Sequence, residues 1–285
     1  MEQYVLTLTC PDRPGIVRAL ADGIVEAGGN ILESAQFSDP ATGTFCVRTQ
    51  FESPEPDAVV RKHIVGGLQP FDPVVTLRPA GRRRRALLMV SKFDHCLVDL
   101  LYRWENGELA MDIPLVVSNH EDARALVERH GIPFVWIPVS KDATGPTSKA
   151  AAETRLFDLV EEHAVDVVVL ARYMQVLSDD ACRRLAGRAI NIHHSFLPGF
   201  KGAKPYHQAY DRGVKLIGAT AHYVTAELDE GPIIEQDVVR VSHAQDADTL
   251  VAIGRDVERV VLARALRLHT EDRVLVTGHR TVVFG

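Results

Sequence analysis

The stretch VDVVVLA, residues 165–171, is apolar at nearly every position. Apolar side chains on both sides of one strand are typical of a parallel sheet whose two faces are covered. Outward from it, beginning at residue 86, short apolar segments alternate with segments of helical periodicity, such as ALLMVSK followed by HCLVDLLYRWENG. This alternation predicts an α/β domain with a Rossmann-like, mostly parallel sheet.

Residues 1–79 follow a different order. Strand-like YVLTLTC precedes a segment with apolar residues at helical spacing, and two further strands, a helix and a last strand, DPVVTLRP, complete the region. The order β-α-β-β-α-β predicts a ferredoxin-like domain. The PAGRRRR run that follows is typical of a solvated linker. We therefore predict domains at 1–79 and 86–285, joined by a linker at 80–85.

Charge, cysteine content and hydropathy exclude several classes of protein. The net charge of −6 argues against general nucleic-acid binding. The four consecutive arginines of PAGRRRR are weak evidence for such binding, because they form one short basic run in an acidic chain. The four cysteines form no CxxC pair, so we expect reduced thiols, no metal and no disulfide framework. No signal peptide is indicated, and no apolar run reaches the roughly 18 to 20 residues of a membrane helix. These features predict a cytoplasmic protein.

Candidate catalytic residues follow the predicted strand AINI. Ligands of such sheets bind outside the carboxyl ends of the strands. Asn191 and His193 are two apart, so on a strand they project to the same face. Asp229 lies in an acidic turn further along. An Asn can donate a hydrogen bond to an oxyanion, a His can move a proton near neutral pH, and an Asp can orient an imidazole or a water.

The residues alone leave other interpretations open. A histidine at a strand end is more often structural, and an Asp in a turn is commonly only a turn residue. A metal pair of His193 and His194 is disfavoured, because adjacent strand residues point to opposite faces and no HExxH-type partner is nearby.

The segment from Asn191 to Val241, NIHHSFLPGFKG onwards, resembles the catalytic core of the folate-dependent formyltransferases, and the resemblance extends over residues 86 to about 270. It implies that Asn191, His193 and Asp229 are catalytic and that residues 197–202 form the family's LPxFKG loop. The segment LARYMQVLS resembles the lining of the family's folate pocket. The implied folate contacts are Arg172, Met174, Val176 and Leu177, with core packing as the alternative for the last three.

Residues 1–79 resemble an ACT domain, through CPDRPGIV at 10–17 and GGNI at 28–31. The resemblance implies that a small amino-acid effector binds at a domain interface. Its candidate contacts are Asp12, Gly15, Asn30 and Ile31. The alternative is that Gly15 only permits close packing and Asn30 is only a turn residue. An open sheet edge also predicts pairing with a second copy, hence a homo-oligomer.

An ACT-like domain followed by a formyltransferase-like domain resembles the formyltetrahydrofolate deformylase family. That resemblance implies hydrolysis of 10-formyltetrahydrofolate to formate and tetrahydrofolate, with folate as substrate and no cofactor. It also implies a role in supplying formate for purine biosynthesis and in balancing one-carbon folate pools.

The identity of the acceptor depends on the loop after the first strand of the second domain. Ribonucleotide-using relatives carry a Gly- and Ser-rich phosphate loop there, whereas VSKFDHCLVDLL has no glycine, and Phe93 and Asp94 oppose a phosphate. This favours water as acceptor. A formyltransferase with an amine acceptor is the alternative, with Lys92 as a lone phosphate anchor. A non-catalytic amino-acid sensor is disfavoured by the intact Asn, His and Asp.

Overall fold

The computed structural model describes residues 1–140, 145–199 and 205–285. The chain forms two compact units. The first contains Met1–Arg83 together with Leu268–Gly285, and the second contains Arg84–Arg267. No helix among the described residues is both long enough and apolar enough to span a membrane.

The first unit has the predicted ferredoxin-like order. Its antiparallel sheet has the strand order β2-β3-β1-β4. The elements are β1 (Glu2–Pro11), α1 (Ile16–Glu26), β2 (Asn30–Asp39), β3 (Thr44–Ser53), α2 (Asp57–Leu68) and β4 (Val74–Pro79). The prediction of a βαββαβ domain is confirmed.

The core of the first unit follows from the periodicity of its sequence. The inward residues of β1, including Leu6 and Leu8, are buried against the apolar face of α1. The two helices approach closely at Gly23, where an added Cβ would lie 2.9 Å from the Cα of Ile64. A side chain there would push α1 and α2 apart.

The end of the chain also belongs to the first unit, which corrects the predicted 86–285 boundary. A hairpin of β13 (Val274–Thr277) and β14 (Arg280–Val283) buries Leu275 and Phe284 against Cys46 of β3. Arg273 contacts Glu33 of β2 at 3.1 Å. Apolar burial and ion pairing with the sheet therefore hold these residues, and no local sequence pattern shows on which sheet a hairpin packs.

The second unit is the predicted mostly parallel sheet, with helices in the connections. The strand order is β12-β11-β10-β9-β5-β7-β8, with β6 beside β5. Strands β8, β7, β5, β9 and β10 run parallel to one another, while β11 is antiparallel to β10 and β12 is antiparallel to β11. The strands are β5 (Arg84–Val90), β6 (Met111–Asp112), β7 (Val116–Ser118), β8 (Phe134–Trp136), β9 (Val167–Leu170), β10 (Ala189–His193), β11 (Leu216–Tyr223) and β12 (Ile233–Arg240).

The helices of the second unit are α3 (His95–Glu105), α4 (Arg124–Arg129), α5 (Lys149–Glu162), α6 (Asp179–Arg184), α7 (Pro205–Asp211) and α8 (Ala247–Thr270). The last residues of α8, from Leu268 onward, are assigned to the first unit. Every residue of β9 is buried, as the apolar run predicts. Leu156 and Val160 of α5 pack in the same cluster as Val168 and Leu170 of β9.

The predicted linker at 80–85 is too long. Arg84 and Arg85 begin β5, and the Arg85 amide donates to the Asp166 carboxylate at 2.9 Å. The Arg85 guanidinium donates to the His163 carbonyl at 2.7 Å. Arg84 and Arg85 thus both contact residues that are distant in sequence, since Arg84 also lies 3.8 Å from the Asp166 carboxylate. A run of like charges in the sequence does not show such partners.

Candidate active site

A pocket of about 280 Å³ opens at the carboxyl ends of β9 and β10. This is the edge of the sheet where a doubly wound fold places its ligand. All of the residues predicted to be catalytic or to contact folate line this pocket. They are Arg172, Met174, Val176, Leu177, Asn191, His193 and Asp229.

The side chain of Asn191 is oriented by a histidine on the neighbouring strand. Asn191 of β10 lies directly opposite His222 of β11 in the antiparallel ladder. The His222 Nδ1–H donates to the Tyr223 carbonyl at 2.9 Å, which leaves Nε2 as an acceptor 3.3 Å from Asn191 Nδ2. Burial lowers the pKa of His222, so the neutral ring that this arrangement requires is the form present near pH 7. The amide nitrogen of Asn191 is thereby fixed as a donor.

His193 and Asp229 form a hydrogen-bonding pair. The Nδ1 atom of His193 lies 3.2 Å from Asp229 Oδ1, and His222 Nε2 lies 3.8 Å from the same oxygen. Burial raises the pKa of Asp229, but the hydrogen bond from His193 and the charge of that ring outweigh it. The pKa therefore lies below its usual value, and Asp229 is a carboxylate near neutral pH.

The acidic turn is shaped to deliver Asp229. Asp229 has φ 57°, a left-handed conformation that few residues other than Gly, Asn and Asp adopt readily. A Cβ on Gly231 would collide with the Tyr223 carbonyl. Glycine at this position therefore lets the turn approach β11 closely enough for the carboxylate to meet both histidines.

His194 also reaches the pocket, although it follows His193 directly. Their ring centroids are 5.2 Å apart. Burial, followed by the charge of Arg172, lowers the pKa of His194 to about 4. His194 is therefore a neutral side chain at the wall of the site.

The chain as a whole is similar to a set of known proteins. Residues 84–266 match the Formyl transferase family. The chain is 48% identical to the formyltetrahydrofolate deformylase of Bacillus subtilis (strain 168), over 98% of this chain and 93% of the relative. The corresponding protein of Corynebacterium sp. (strain P-1) is 49% identical over 99% of this chain and 98% of its own. This chain belongs to the formyltetrahydrofolate deformylase family.

Solved structures agree with this membership. The formyltetrahydrofolate deformylase from Burkholderia mallei ATCC 23344 superposes with a TM-score of 0.94 at 48% identity, covering all of both chains. Glycinamide ribonucleotide transformylase 1 from Symbiobacterium toebii has a TM-score of 0.67 at 30% identity, over 74% of this chain and 98% of its own. The likeness to the deformylases thus extends over the whole chain, and the likeness to that transformylase over part of it.

The four predicted folate contacts differ in their surroundings. Met174 and Val176 are exposed, 52% and 59%, so core packing does not explain them. Leu177 is buried in the hydrophobic cluster that contains Val168 and Leu170 of β9 and also lines the pocket, so for this residue core packing is an explanation as well. Arg172 has φ 64° and turns its side chain inward.

The loop from Ser91 to Asp94 lies at the carboxyl end of β5. The Ser91 hydroxyl donates to Asn119 at 2.7 Å and accepts from the Met174 amide at 2.9 Å, which ties the loop to the pocket wall. The ring of Phe93 lies against the guanidinium groups of Arg172 and Arg255, at 5.9 and 5.3 Å. In the predicted LPxFKG loop, Leu197 donates its amide to Thr220, whereas residues 200–202 lie outside the described residues.

A cluster of potential metal ligands is formed by His95, Cys96 and Glu258. The Arg172 Nε lies 3.3 Å from the Glu258 carboxylate and supplies its positive partner. Burial raises the pKa of Glu258, but the His95 hydrogen bond, the charge of Arg172 and the Tyr206 hydrogen bond lower it below its usual value. A cation added here would be repelled by Arg172, so the cluster does not fit a metal.

The four predicted effector contacts do not converge within one chain. Asp12 accepts from the Ser38 hydroxyl near the end of β1, and Gly15 precedes α1 with φ 101°. Asn30 and Ile31 begin β2. Pro11 pairs with Thr44 at one end of β3 and Asn30 with Glu52 at the other, so roughly 25 Å of sheet separates the two pairs.

Two features of the site are missing from the sequence prediction. His222 lies in a strand whose register with β10 no local pattern determines, although its position within the resembling segment was a usable signal. Glu258 has the pattern of an ordinary charged residue on a long helix, and only the fold shows that it is 1% exposed.

Proposed function

We propose that this chain hydrolyses 10-formyltetrahydrofolate to formate and tetrahydrofolate. The observation that carries the proposal is the convergence of Asn191, His193 and Asp229 on one pocket, in a chain that matches formyltetrahydrofolate deformylases over its full length. Hydrolysis of this formyl amide requires a water, a proton shuttle and donors for an oxyanion, and these residue types supply the last two.

In the proposed reaction, a water near Asp229 and His193 attacks the formyl carbon. The Asn191 amide and protonated His193 donate to the oxygen that becomes negative, and one such donor contributes on the order of 3 kcal/mol. Asp229 accepts a hydrogen bond from His193 Nδ1 and orients the water. It takes the proton that the water loses on attack and passes this proton to the folate nitrogen. Collapse of the tetrahedral intermediate breaks the bond between carbon and nitrogen and leaves formate and tetrahydrofolate.

The folate would lie along the segment after β9. Exposed Met174 and Val176 offer apolar surface for the pterin, with Leu177 behind them, and Arg172 offers a fixed guanidinium. We propose no cofactor and no metal for the reaction, because proton transfer and charge stabilisation suffice. The product formate would supply purine biosynthesis and balance one-carbon folate pools. The four free, buried cysteines suit a reducing compartment, and we propose the cytoplasm.

For the first unit we propose an ACT-like role. The contacts proposed for a small amino-acid effector are Asp12, Gly15, Asn30 and Ile31. Because the two pairs lie at opposite ends of the sheet, an effector that touches both needs two chains. Pairing through the exposed edge strand β2 would supply the second chain. Light scattering at micromolar concentration tests this, and a monomer would contradict it.

The deciding experiment incubates the purified protein with 10-formyltetrahydrofolate alone and measures free formate and tetrahydrofolate. We expect both products in equal amounts. A parallel reaction contains glycinamide ribonucleotide, and mass spectrometry looks for a formylated ribonucleotide. A formylated ribonucleotide, with no formate in the first reaction, would overturn the proposed hydrolysis and favour transfer of the formyl group to an amine.

A further inference from the structure

Glu258 is a buried carboxylate that joins three segments around the pocket. It lies on α8, and its Oε1 accepts from the Tyr206 hydroxyl at 2.8 Å. Its Oε2 lies 2.8 Å from His95 Nε2 and 3.3 Å from Arg172 Nε. The Arg172 contact lacks hydrogen-bond alignment and is therefore a charge pair. His95, Arg172 and Tyr206 follow β5, β9 and β10, so one carboxylate links segments at three strand ends.

The packing of α8 is adapted to this link. Gly254 lies one turn before Glu258, and a Cβ there would collide with the ring and hydroxyl of Tyr206. The ring fits against the helix only because that side chain is missing. The Tyr206 hydroxyl is thereby brought to Glu258.

The pocket lining contains two residues of opposite charge, Arg172 and Asp229. Among the described residues, Arg172 is the one Lys or Arg of the lining and Asp229 is the one Asp or Glu. Both side chains are close to nine-tenths buried, at 11% and 10% exposed. A buried guanidinium requires a counter-charge, because an unpaired ion in a low-dielectric interior is costly. Within the pocket, Asp229 would be the carboxylate available to it.

We propose that Glu258 is a positioning residue that holds Arg172 away from Asp229 and so keeps Asp229 paired with His193. The inference rests on the proposed function, in which Asp229 and His193 act together. Arg172 paired with Asp229 would compete with His193 for the same oxygen. The charge pair between Arg172 and Glu258 thus preserves the charge pattern on which catalysis depends.

The test is a double-mutant cycle of Glu258→Gln and Arg172→Gln. The amide introduced by E258Q keeps the shape of the side chain and an acceptor for Tyr206 but carries no charge, so Arg172 is free to turn toward Asp229. We expect kcat/KM for formate release to fall at least ~10-fold in E258Q, mainly through kcat. In the R172Q background there is no guanidinium at position 172 that could turn toward Asp229. Adding E258Q to R172Q should therefore change kcat/KM less than about twofold.

The matched control is Tyr206→Phe, which removes one hydrogen bond to Glu258 and leaves its charge. We expect a loss below about threefold, because the charge pair with Arg172 remains. A crystal structure of E258Q provides a readout that is independent of activity. We expect the Arg172 guanidinium within ~4 Å of the Asp229 carboxylate, the usual range of an ion pair.

Several outcomes would overturn the inference. One is an equal E258Q loss with and without Arg172, and another is a Y206F loss as large as that of E258Q. A third is Arg172 unmoved in E258Q. If E258Q does not fold but the E258Q/R172Q double variant does, the result supports the inference that Glu258 balances the charge of Arg172. If the double variant does not fold either, Glu258 acts through packing alone. If the wild type releases no formate, the proposed function fails, and the Arg172–Asp229 distance in E258Q still decides this inference.

Discussion

Asp229 holds its carboxylate against His193 from a left-handed backbone position. Asp229→Asn keeps the size of the side chain, and Asn tolerates this conformation, so the turn should persist. The amide has no charge and cannot accept a proton. We expect formate release to fall at least ~100-fold with the fold intact. Initial-rate assays and circular dichroism check this.

The control for that variant is Glu227→Gln, an exposed residue of the same turn. It makes the same chemical change two residues away, outside the pocket lining. Activity should stay near that of the wild type. D229N with nearly unchanged formate release would remove Asp229 from the proposed mechanism.

His194 should make the stability of the protein depend on pH. Its folded pKa of about 4 lies below the ordinary value of 6.5, so between these values the unfolded chain binds more protons. Stability is then fully present above pH 6.5 and is lost as pH falls toward 4. At pH 4.5 the loss due to His194 is roughly 2–3 kcal/mol.

Denaturant unfolding from pH 7.5 to 4.5 checks this with His194→Gln, which cannot titrate. The difference in unfolding free energy between wild type and H194Q should shrink as the pH falls. A constant difference for H194Q would show that His194 is not held neutral by its surroundings.

At the scale of elements, local patterns were sufficient wherever burial follows periodicity. YVLTLTC predicted a strand, and the unbroken apolar run of β9 predicted a strand of a parallel sheet, and both are observed. The arginines at the start of β5 were misassigned because their partners, Asp166 and the His163 carbonyl, are distant in sequence.

The candidate site divides in the same way. The shared face of Asn191 and His193 follows from the two-residue period of a strand. The acidic turn made Asp229 a candidate, but only the family resemblance assigned it to catalysis, since turns of this composition are common. His222 depends on strand register and Glu258 on helix packing, and neither is a local property of the sequence.

Gly254 gives α8 a testable packing requirement. Gly to Ala in a helix interior ordinarily stabilises by roughly 0.5–1 kcal/mol. Here the new Cβ would collide with buried Tyr206 and separate its hydroxyl from Glu258. We therefore expect G254A to lower the unfolding free energy and Tm. The control is Gly66→Ala in α2, where a Cβ meets nothing within 4 Å and should stabilise. Stabilisation by both would contradict the packing assigned to Tyr206.

At the scale of the whole molecule, the first unit is built from both ends of the chain. Arg48 is 3% exposed on β3 and donates to the Glu271 carbonyl at 3.0 Å. The Glu33 carboxylate forms ion pairs with both Arg48 and Arg273. Residues that follow the second unit in the sequence thus supply partners for buried and half-buried charges of the first sheet.

This composition predicts how truncated chains behave. A chain of residues 84–285 lacks the sheet against which Leu275 and Phe284 are buried, and it leaves Arg273 without Glu33. A chain of residues 84–267 lacks that hairpin and exposes none of its apolar surface. Exposed apolar patches promote aggregation. We expect 84–285 to give less soluble protein and stronger light scattering than 84–267, with the full-length chain as reference. Equal solubility and dispersity of the two truncated chains would show that the hairpin does not depend on the sheet of the first unit.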